Sequence, residues 1–173
     1  MKRFPILLLL IFPAASCVED TPLKGPIDSS FVFDNKALPD VELKVSVEEW
    51  NKLLQYFDQN PNNEECVEAA MTFTKDGQEH EVEKVGLRLR GNTSRRRPEG
   101  KKGELHQTID TDWHHASFSV DINRFVTGQR FAGLKKINLK WFKDDAMYVR
   151  EVYCYDLFER FGVWTTPQSS YCR

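Results

Sequence analysis

A basic loop is the part of the sequence whose residue types point most directly to chemistry. Between positions 88 and 102 there is one acid, Glu99, and seven basic residues: Arg88, Arg90, Arg95, Arg96, Arg97, Lys101 and Lys102. Gly91 is followed by three small polar residues: Asn92, Thr93 and Ser94. Guanidinium groups bind phosphate through paired hydrogen bonds, and a glycine turn exposes backbone N–H groups that also bind it. The spacing predicts an anion site formed by Arg88, Arg90 and the turn at 91–94; a solvated basic loop without a ligand is the alternative.

A strand lysine followed by a helix glutamate is the second chemical pattern. Lys136 and Lys140 lie in a segment of alternating apolar residues, and Glu151 lies in a segment with helical periodicity. Kinase folds use such a lysine and glutamate to hold nucleotide phosphates. The order predicts that Lys136 or Lys140 contacts phosphate and that Glu151 orients the lysine, although ordinary surface strands and helices carry the same residue types.

A third group of residues has the side chains that metals prefer: His106, Asp112, His114 and His115. Neighbouring residues on a strand point to opposite faces, so His114 and His115 could not both face one site. We therefore interpret this group as polar loop residues, and the sequence predicts no metal ligands.

The overall composition restricts the class of protein. The chain has 173 residues, 24 Lys+Arg against 26 Asp+Glu, and a formal net charge of −2. This balance excludes a generally basic nucleic-acid-binding protein and a strongly acidic disordered chain. The basic loop also lacks interleaved aromatic residues that could stack on bases, so nucleic acid is not an expected partner.

Alternation of apolar and polar residues predicts the strands that position these side chains. Five segments show it: 41–45, 70–74, 81–90, 118–122 and 136–141. The dipeptide Asp76-Gly77 between the second and third segments is a hairpin signal. In the third segment the residues that alternate with Arg88 and Arg90 are apolar, so the two arginines should lie on the face opposite the core.

Two segments have helical periodicity. Ser46-Val47-Glu48-Glu49 fits a capping box that begins a helix over 46–59, whose apolar face would consist of Trp50, Leu53, Leu54 and Phe57. The second helix is predicted over 146–161, with Asp144 or Asp145 as its cap and Gly162 at its end. Its apolar face would consist of Val149, Val152, Tyr153, Leu157 and Phe161. The expected fold class is α+β, an antiparallel-rich sheet with two main helices.

The N-terminal residues 1–16 have the order of a secretory signal peptide. Two basic residues precede the apolar run 6–12, and small residues lead to Cys17. Ala-Ala-Ser-Cys resembles the bacterial lipobox, which implies lipidation of Cys17; an ordinary signal peptide with an incidental cysteine is the alternative. Glu19 and Asp20 resemble the acidic signal that directs some lipoproteins to the outer-membrane surface. We predict a cell-envelope protein that contacts the membrane through its lipid anchor.

Residues 17–39 are predicted to be a tether. Prolines and a glycine favour an extended chain with at most a short strand at 31–33, and the folded domain would cover 40–173. Three cysteines lie within that domain: Cys66, Cys154 and Cys172. An oxidising compartment allows one disulfide among them, with the pairing left open, and at least one unpaired thiol.

Four segments occur in an order that is specific to one protein family: 85–95, 118–125, 128–140 and 148–163. The first contains the turn Arg-Gly-Asn-Thr-Ser, which begins at Arg90, and the last contains the pair Arg150-Glu151. Over roughly residues 40–173, the chain resembles the N-terminal half of the spore-coat protein H (CotH) kinase family.

The resemblance implies an atypical secreted kinase that uses ATP and Mg²⁺ to phosphorylate Ser or Thr of extracytoplasmic proteins. Many relatives carry a lysine-rich strand where this chain has residues 114–121, so a nucleotide-contacting lysine expected there would be absent. The family's catalytic and metal-binding aspartates would lie beyond residue 173. We therefore expect the N-terminal part of such a kinase, truncated and inactive alone. The alternative is a non-catalytic surface lipoprotein that binds a coat, protein or glycan partner.

Overall fold

The computed structural model describes residues 27–92, 95–100, 116–141 and 149–165. Its elements are, in chain order, α1 (Ser29–Phe33), β1 (Asp40–Lys44), α2 (Val47–Gln59), β2 (Val67–Lys75), β3 (Gln78–Arg90), β4 (Ser117–Asp121), β5 (Lys136–Leu139) and α3 (Arg150–Arg160). Within these ranges the strands form one five-stranded sheet in the order β1-β2-β3-β4-β5, and every pairing is antiparallel. The predicted α+β class is confirmed.

The β2–β3 hairpin closes with the predicted turn. Asp76 and Gly77 have φ angles of 50° and 71°, as a type I′ turn requires. Farther along β3 the register shifts, and Lys84 takes a φ of 53°. This bulge lets Val82 and Val85 both be buried although they are three residues apart. Beyond it, the apolar residues alternate with Arg88 and Arg90, as predicted.

The core lies on one face of the sheet. Its buried strand residues are Val67, Ala69, Met71, Phe73, Val82, Val85, Leu87, Leu89 and Val120. Helix α2 packs against β2 and β3, and Leu53 and Leu54 are buried. The predicted cap is confirmed, because the Ser46 hydroxyl accepts a hydrogen bond from the Glu49 N–H at 3.2 Å. The Glu49 carboxylate accepts from the Glu68 N–H at 2.8 Å and so ties the helix to β2.

The prediction of a short strand at 31–33 is wrong, because these residues form the end of helix α1. The Asp28 carboxylate caps the helix by accepting hydrogen bonds from the Ser30 hydroxyl and from the N–H groups of Phe31 and Ser30. These bonds, that of the Ser30 hydroxyl most of all, lower the pKa of Asp28. Val32 is buried in the core. The described end of the predicted tether therefore packs against the domain.

Lys75 explains why this segment is ordered. It is buried at the end of β2, and its ammonium donates hydrogen bonds to the carbonyl oxygens of Phe31 and Asp34. It also lies 5.4 Å from the centroid of the Phe31 ring. A cation is favourable beside the unpaired carbonyls at the C-terminal end of a helix. Such a contact between distant residues leaves no local sequence pattern.

Lys75→Met should therefore weaken the docking of residues 27–39. We expect the free energy of unfolding to fall by about 1 to 2 kcal/mol, since two carbonyl oxygens lose a charged donor. Proteolysis within 27–39 should become faster than in the wild-type chain. The control is Lys52→Met on the partly exposed surface of α2; equal unfolding and proteolysis in the two variants would contradict the assigned role.

Helix α3 begins at Arg150, with Val149 at the N-cap position and no side-chain cap. The predicted caps Asp144 and Asp145 lie outside the described residues. The end is as predicted: Gly162 has a φ of 70°, and the N–H groups of Gly162 and Val163 donate to the last carbonyls of the helix in a Schellman arrangement. No residue of α3 is buried, so its predicted apolar face is at least partly open to solvent.

Two observations concern the predicted compartment. Cys66 and Cys154 are free thiols, and burial raises the pKa of the Cys66 thiol; Cys172 lies outside the described ranges. Across the described part of the chain, every helix is too short or too polar to cross a membrane.

Candidate functional site

The face of the sheet opposite the core carries the predicted site residues. In the ladder, Arg88 of β3 pairs with Ser119 of β4, which pairs with Asn138 of β5. Arg90 pairs with Ser117 two positions farther along the strands, on the same face of the sheet. Cross-strand partners lie on the same face. The fold therefore aligns arginine, serine and asparagine side chains across three strands.

The two candidate lysines have different partners. Lys140 immediately follows β5, and its ammonium forms an ion pair with the carboxylate of Glu151 in the first turn of α3. Lys136 lies 3.3 Å from a carboxylate oxygen of Asp121 on β4. The structure thus brings Lys140, and not Lys136, to Glu151.

Arg88 and Arg95 both contact Glu64, which lies between α2 and β2. Arg88 Nη1 is 2.6 Å from Glu64 Oε2, and Arg95 Nη2 is 2.8 Å from Glu64 Oε1. The hydrogen bond from Arg95, together with the positive charges of both arginines, lowers the pKa of Glu64. Arg88, a predicted phosphate ligand, is therefore neutralised within the fold.

Arg95 also holds backbone from two loops. Its Nε donates to the carbonyl oxygen of Gly91 at 3.0 Å, and its Nη1 donates to those of Pro61 and Asn63 at 3.0 and 2.7 Å. Together with the bond from Nη2 to Glu64, these contacts use donors on all three nitrogens of the guanidinium group in a fixed geometry. Arg95 therefore joins the turn after β3 to the loop after α2.

Arg97 fixes the next part of the basic loop to α2. Its Nε donates to Asp58 Oδ1 at 3.0 Å, and its Nη1 lies 3.6 Å from Glu99 Oε2. Glu99 also accepts a hydrogen bond from the indole N–H of Trp50 at 2.6 Å. These side chains are at least partly buried. Their contacts hold the loop against α2, so the segment is not an open anion site.

Two guanidinium groups at this end of the sheet have no carboxylate partner within the described ranges. Arg90 is half-buried at the end of β3. The Arg96 guanidinium lies 5.2 Å from the centroid of the Trp141 ring, a cation–π contact. The backbone N–H of Trp141 donates to the hydroxyl of Ser117 at 3.0 Å, and Ser117 is the ladder partner of Arg90. Arg90 and Arg96 are thus the arginines available to an anion.

The predicted turn is described in part. Gly91 has a φ of 124°, a conformation that favours glycine, and Asn92 is exposed. Thr93 and Ser94 lie outside the described residues, so their predicted phosphate contacts stay predictions.

The described candidate donors are cationic, whereas metal ligands are chiefly His, Cys, Asp and Glu side chains. Arg90, Arg96 and Lys140 carry cationic donors, and the buried Ser119 hydroxyl has no hydrogen-bond partner. Among the described residues there is no group of three or more His, Cys, Asp or Glu side chains that could hold a metal ion. The histidine and aspartate group at 106–115 lies outside the described ranges. No residue is assigned to Mg²⁺.

The neighbours of the basic residues carry no sequence signal of their own. Glu64 lies in a segment without periodicity, and Ser119, Asn138 and Trp141 are ordinary residues of predicted strands. Strand register could have identified Ser119 and Asn138, because Ser119 is opposite Arg88 and Asn138 is opposite Ser119 in the same row.

Comparison with known proteins does not assign the chain to a family. No protein-family model, curated protein or solved structure matches the chain. Function is therefore inferred from the site and from the sequence resemblance.

Proposed function

We propose that residues 40–173 form the nucleotide-positioning part of a CotH-like protein kinase that transfers phosphate from ATP to Ser or Thr of extracytoplasmic proteins. The observation that carries the proposal is the ion pair between Lys140, at the end of an edge strand, and Glu151, in the following helix. Kinase folds hold the phosphate-binding lysine in this way. The antiparallel sheet beside it supports the same interpretation.

Each residue has a positioning role in this proposal. Lys140 contacts a phosphate oxygen, and the Glu151 carboxylate fixes the direction of the ammonium. Arg90 and Arg96 add positive charge, and the backbone N–H groups of the turn at 91–94 donate further hydrogen bonds. Bound ATP supplies the phosphoryl group. Phosphoryl transfer depends chiefly on such positioning and charge neutralisation, so no proton transfer is assigned to these side chains.

The proposed location follows from the N-terminal sequence. Lipidation of Cys17 would attach the chain to the cell envelope, where its substrates or partners are extracytoplasmic proteins. Contact with the membrane would then be made through the lipid.

Lys140→Met should lower the affinity for ATP by about tenfold or more. A hydrogen bond to a charged group contributes about 1.5 to 3 kcal/mol, and 1.4 kcal/mol corresponds to tenfold in affinity. The measurement is calorimetric titration with ATP and Mg²⁺, with hydrogen exchange of residues 88–92 and 136–141 as a second readout. Both segments should be protected by ATP in the wild-type chain.

Lys136→Met is the matched control. It also removes one lysine charge from the segment 136–140, but this lysine pairs with Asp121 and not with Glu151. Its ATP affinity should stay within about twofold of wild type. Equal losses in the two variants would show a general charge effect and contradict the role of Lys140. Absence of ATP binding in every form would favour the non-catalytic surface lipoprotein.

A further inference from the structure

Two guanidinium groups converge on one carboxylate beside the candidate site. The side chains of Arg88 and Arg95 are 18% and 6% exposed, whereas that of Glu64 is 62% exposed. The charges are also unequal, because two cations share one anion. A mostly buried positive pair is thus neutralised in part by a group that stands largely in solvent.

The positive side of this contact does not depend on Glu64 for its position. Arg95 remains hydrogen-bonded to the carbonyl oxygens of Gly91, Pro61 and Asn63 through Nε and Nη1, and Glu64 uses Nη2 alone. The Arg88 guanidinium, 18% exposed, also donates from Nη1 to the carbonyl oxygen of Leu89 at 3.3 Å. If the Glu64 carboxylate moved into solvent, the guanidinium groups would remain in place as a preformed anion site.

We propose that Arg88 and Arg95 form an oxyanion site that Glu64 occupies as an internal ligand, and that a phosphate group displaces it. A phosphate with two negative charges compensates both arginines, which one carboxylate cannot do, and it offers three acceptor oxygens. Glu64 then acts as a gate that keeps the arginines compensated while no ligand is bound. The phosphate could be free inorganic phosphate or part of a nucleotide. Where it belongs to a nucleotide, the inference rests on the proposed function.

The loop offers a matched pair of variants. Glu65 is adjacent to Glu64, its side chain is 61% exposed, and it pairs with Arg124 at 3.2 Å instead of with the two arginines. Glu64→Gln and Glu65→Gln therefore remove the same charge from the same loop. Acidification is a poorer test, because hydrogen bonding to Arg95 holds the pKa of Glu64 below its ordinary value.

The experiment is calorimetric titration of the wild-type chain and both variants with inorganic phosphate at constant ionic strength. We expect Glu64→Gln to bind phosphate about three- to tenfold more tightly than wild type and Glu65→Gln, since an exposed competing ion pair is removed. In ¹⁵N NMR spectra, phosphate should shift the Arg95 Nε–H signal in this variant. The gain should disappear in the double variant Glu64→Gln/Arg88→Gln.

The outcomes separate this inference from the proposed function. Equal phosphate affinity in Glu64→Gln and Glu65→Gln, or a gain that survives Arg88→Gln, overturns the inference. ATP binding that is sensitive to Lys140→Met would still support the kinase proposal in that case. Tighter phosphate binding by Glu64→Gln without ATP binding in any form supports the oxyanion site and contradicts the nucleotide role.

Discussion

Arg95→Ala is expected to lower the free energy of unfolding by about 2 to 3 kcal/mol, whereas Arg90→Ala should change it by less than about 0.5 kcal/mol. Both residues belong to the same basic loop, but Arg95 is almost fully buried and holds the carbonyl oxygens of Pro61 and Asn63. Its removal leaves acceptors of two loops without a charged donor. Arg90 has no ion-pair partner within the described ranges, so its loss should affect ligand binding instead.

Urea unfolding measures the difference in stability between the two variants, and titration with ATP measures the difference in ATP affinity. Arg90→Ala should weaken ATP binding several-fold while leaving the unfolding midpoint near wild type. Arg95→Lys provides the sharper control, since it keeps the charge but cannot present donors on three nitrogens in a planar fork. We expect it to recover less than half of the lost stability. Equal destabilisation by Arg90→Ala and Arg95→Ala would contradict the division of roles.

For these arginines, the sequence predicts the face of the sheet but not the ion-pair partners. Strand alternation predicted correctly that Arg88 and Arg90 lie opposite the core, because a ladder imposes a period of two residues. It could not predict that Glu64 would neutralise Arg88. Glu64 lies 31 positions before Arg95, in a loop without periodicity. A cluster of positive charge in sequence is an open anion site only where tertiary contacts leave the charges unpaired or pair them with a group that a ligand can displace.

The structure selects one of the two lysine and glutamate pairings that the sequence left open, Lys140 with Glu151, and their role toward phosphate stays a prediction. Residue types and order indicated either Lys136 or Lys140 as the partner of Glu151, since both would lie on one face of the predicted strand 136–141. The choice depends on where β5 ends and α3 begins, and boundaries are weakly encoded locally. Because β5 ends at Leu139, Lys140 is the lysine nearest the connection to the helix.

Phe73→Ala should be the most destabilising of the substitutions considered, with a loss of about 3 to 5 kcal/mol in the free energy of unfolding. Phe73 is 2% exposed, and its ring centroid lies 5.1 Å from that of Phe131 and 6.5 Å from that of Phe31. One side chain thus joins β2 to α1 and to the connection between β4 and β5. Helix α1 lies in the predicted tether, and no helix or strand was predicted between the segments 118–122 and 136–141, so their shared core was not visible in the sequence.

Phe125→Ala is the matched control, because Phe125 is 45% exposed in the same connection and should cost less than about 1 kcal/mol. Hydrogen exchange in Phe73→Ala should accelerate first in residues 27–33 and 131–134, which lose their aromatic contact. Phe73 pairs with His80, and Arg88 lies eight residues farther along β3, about 26 Å at ~3.3 Å per residue. The ATP affinity of the folded fraction should therefore stay within about twofold of wild type. A matching loss of ATP affinity would mean that the aromatic cluster and the Lys140–Glu151 pair form one cooperative unit, and that the candidate site depends on the docked N-terminal segment.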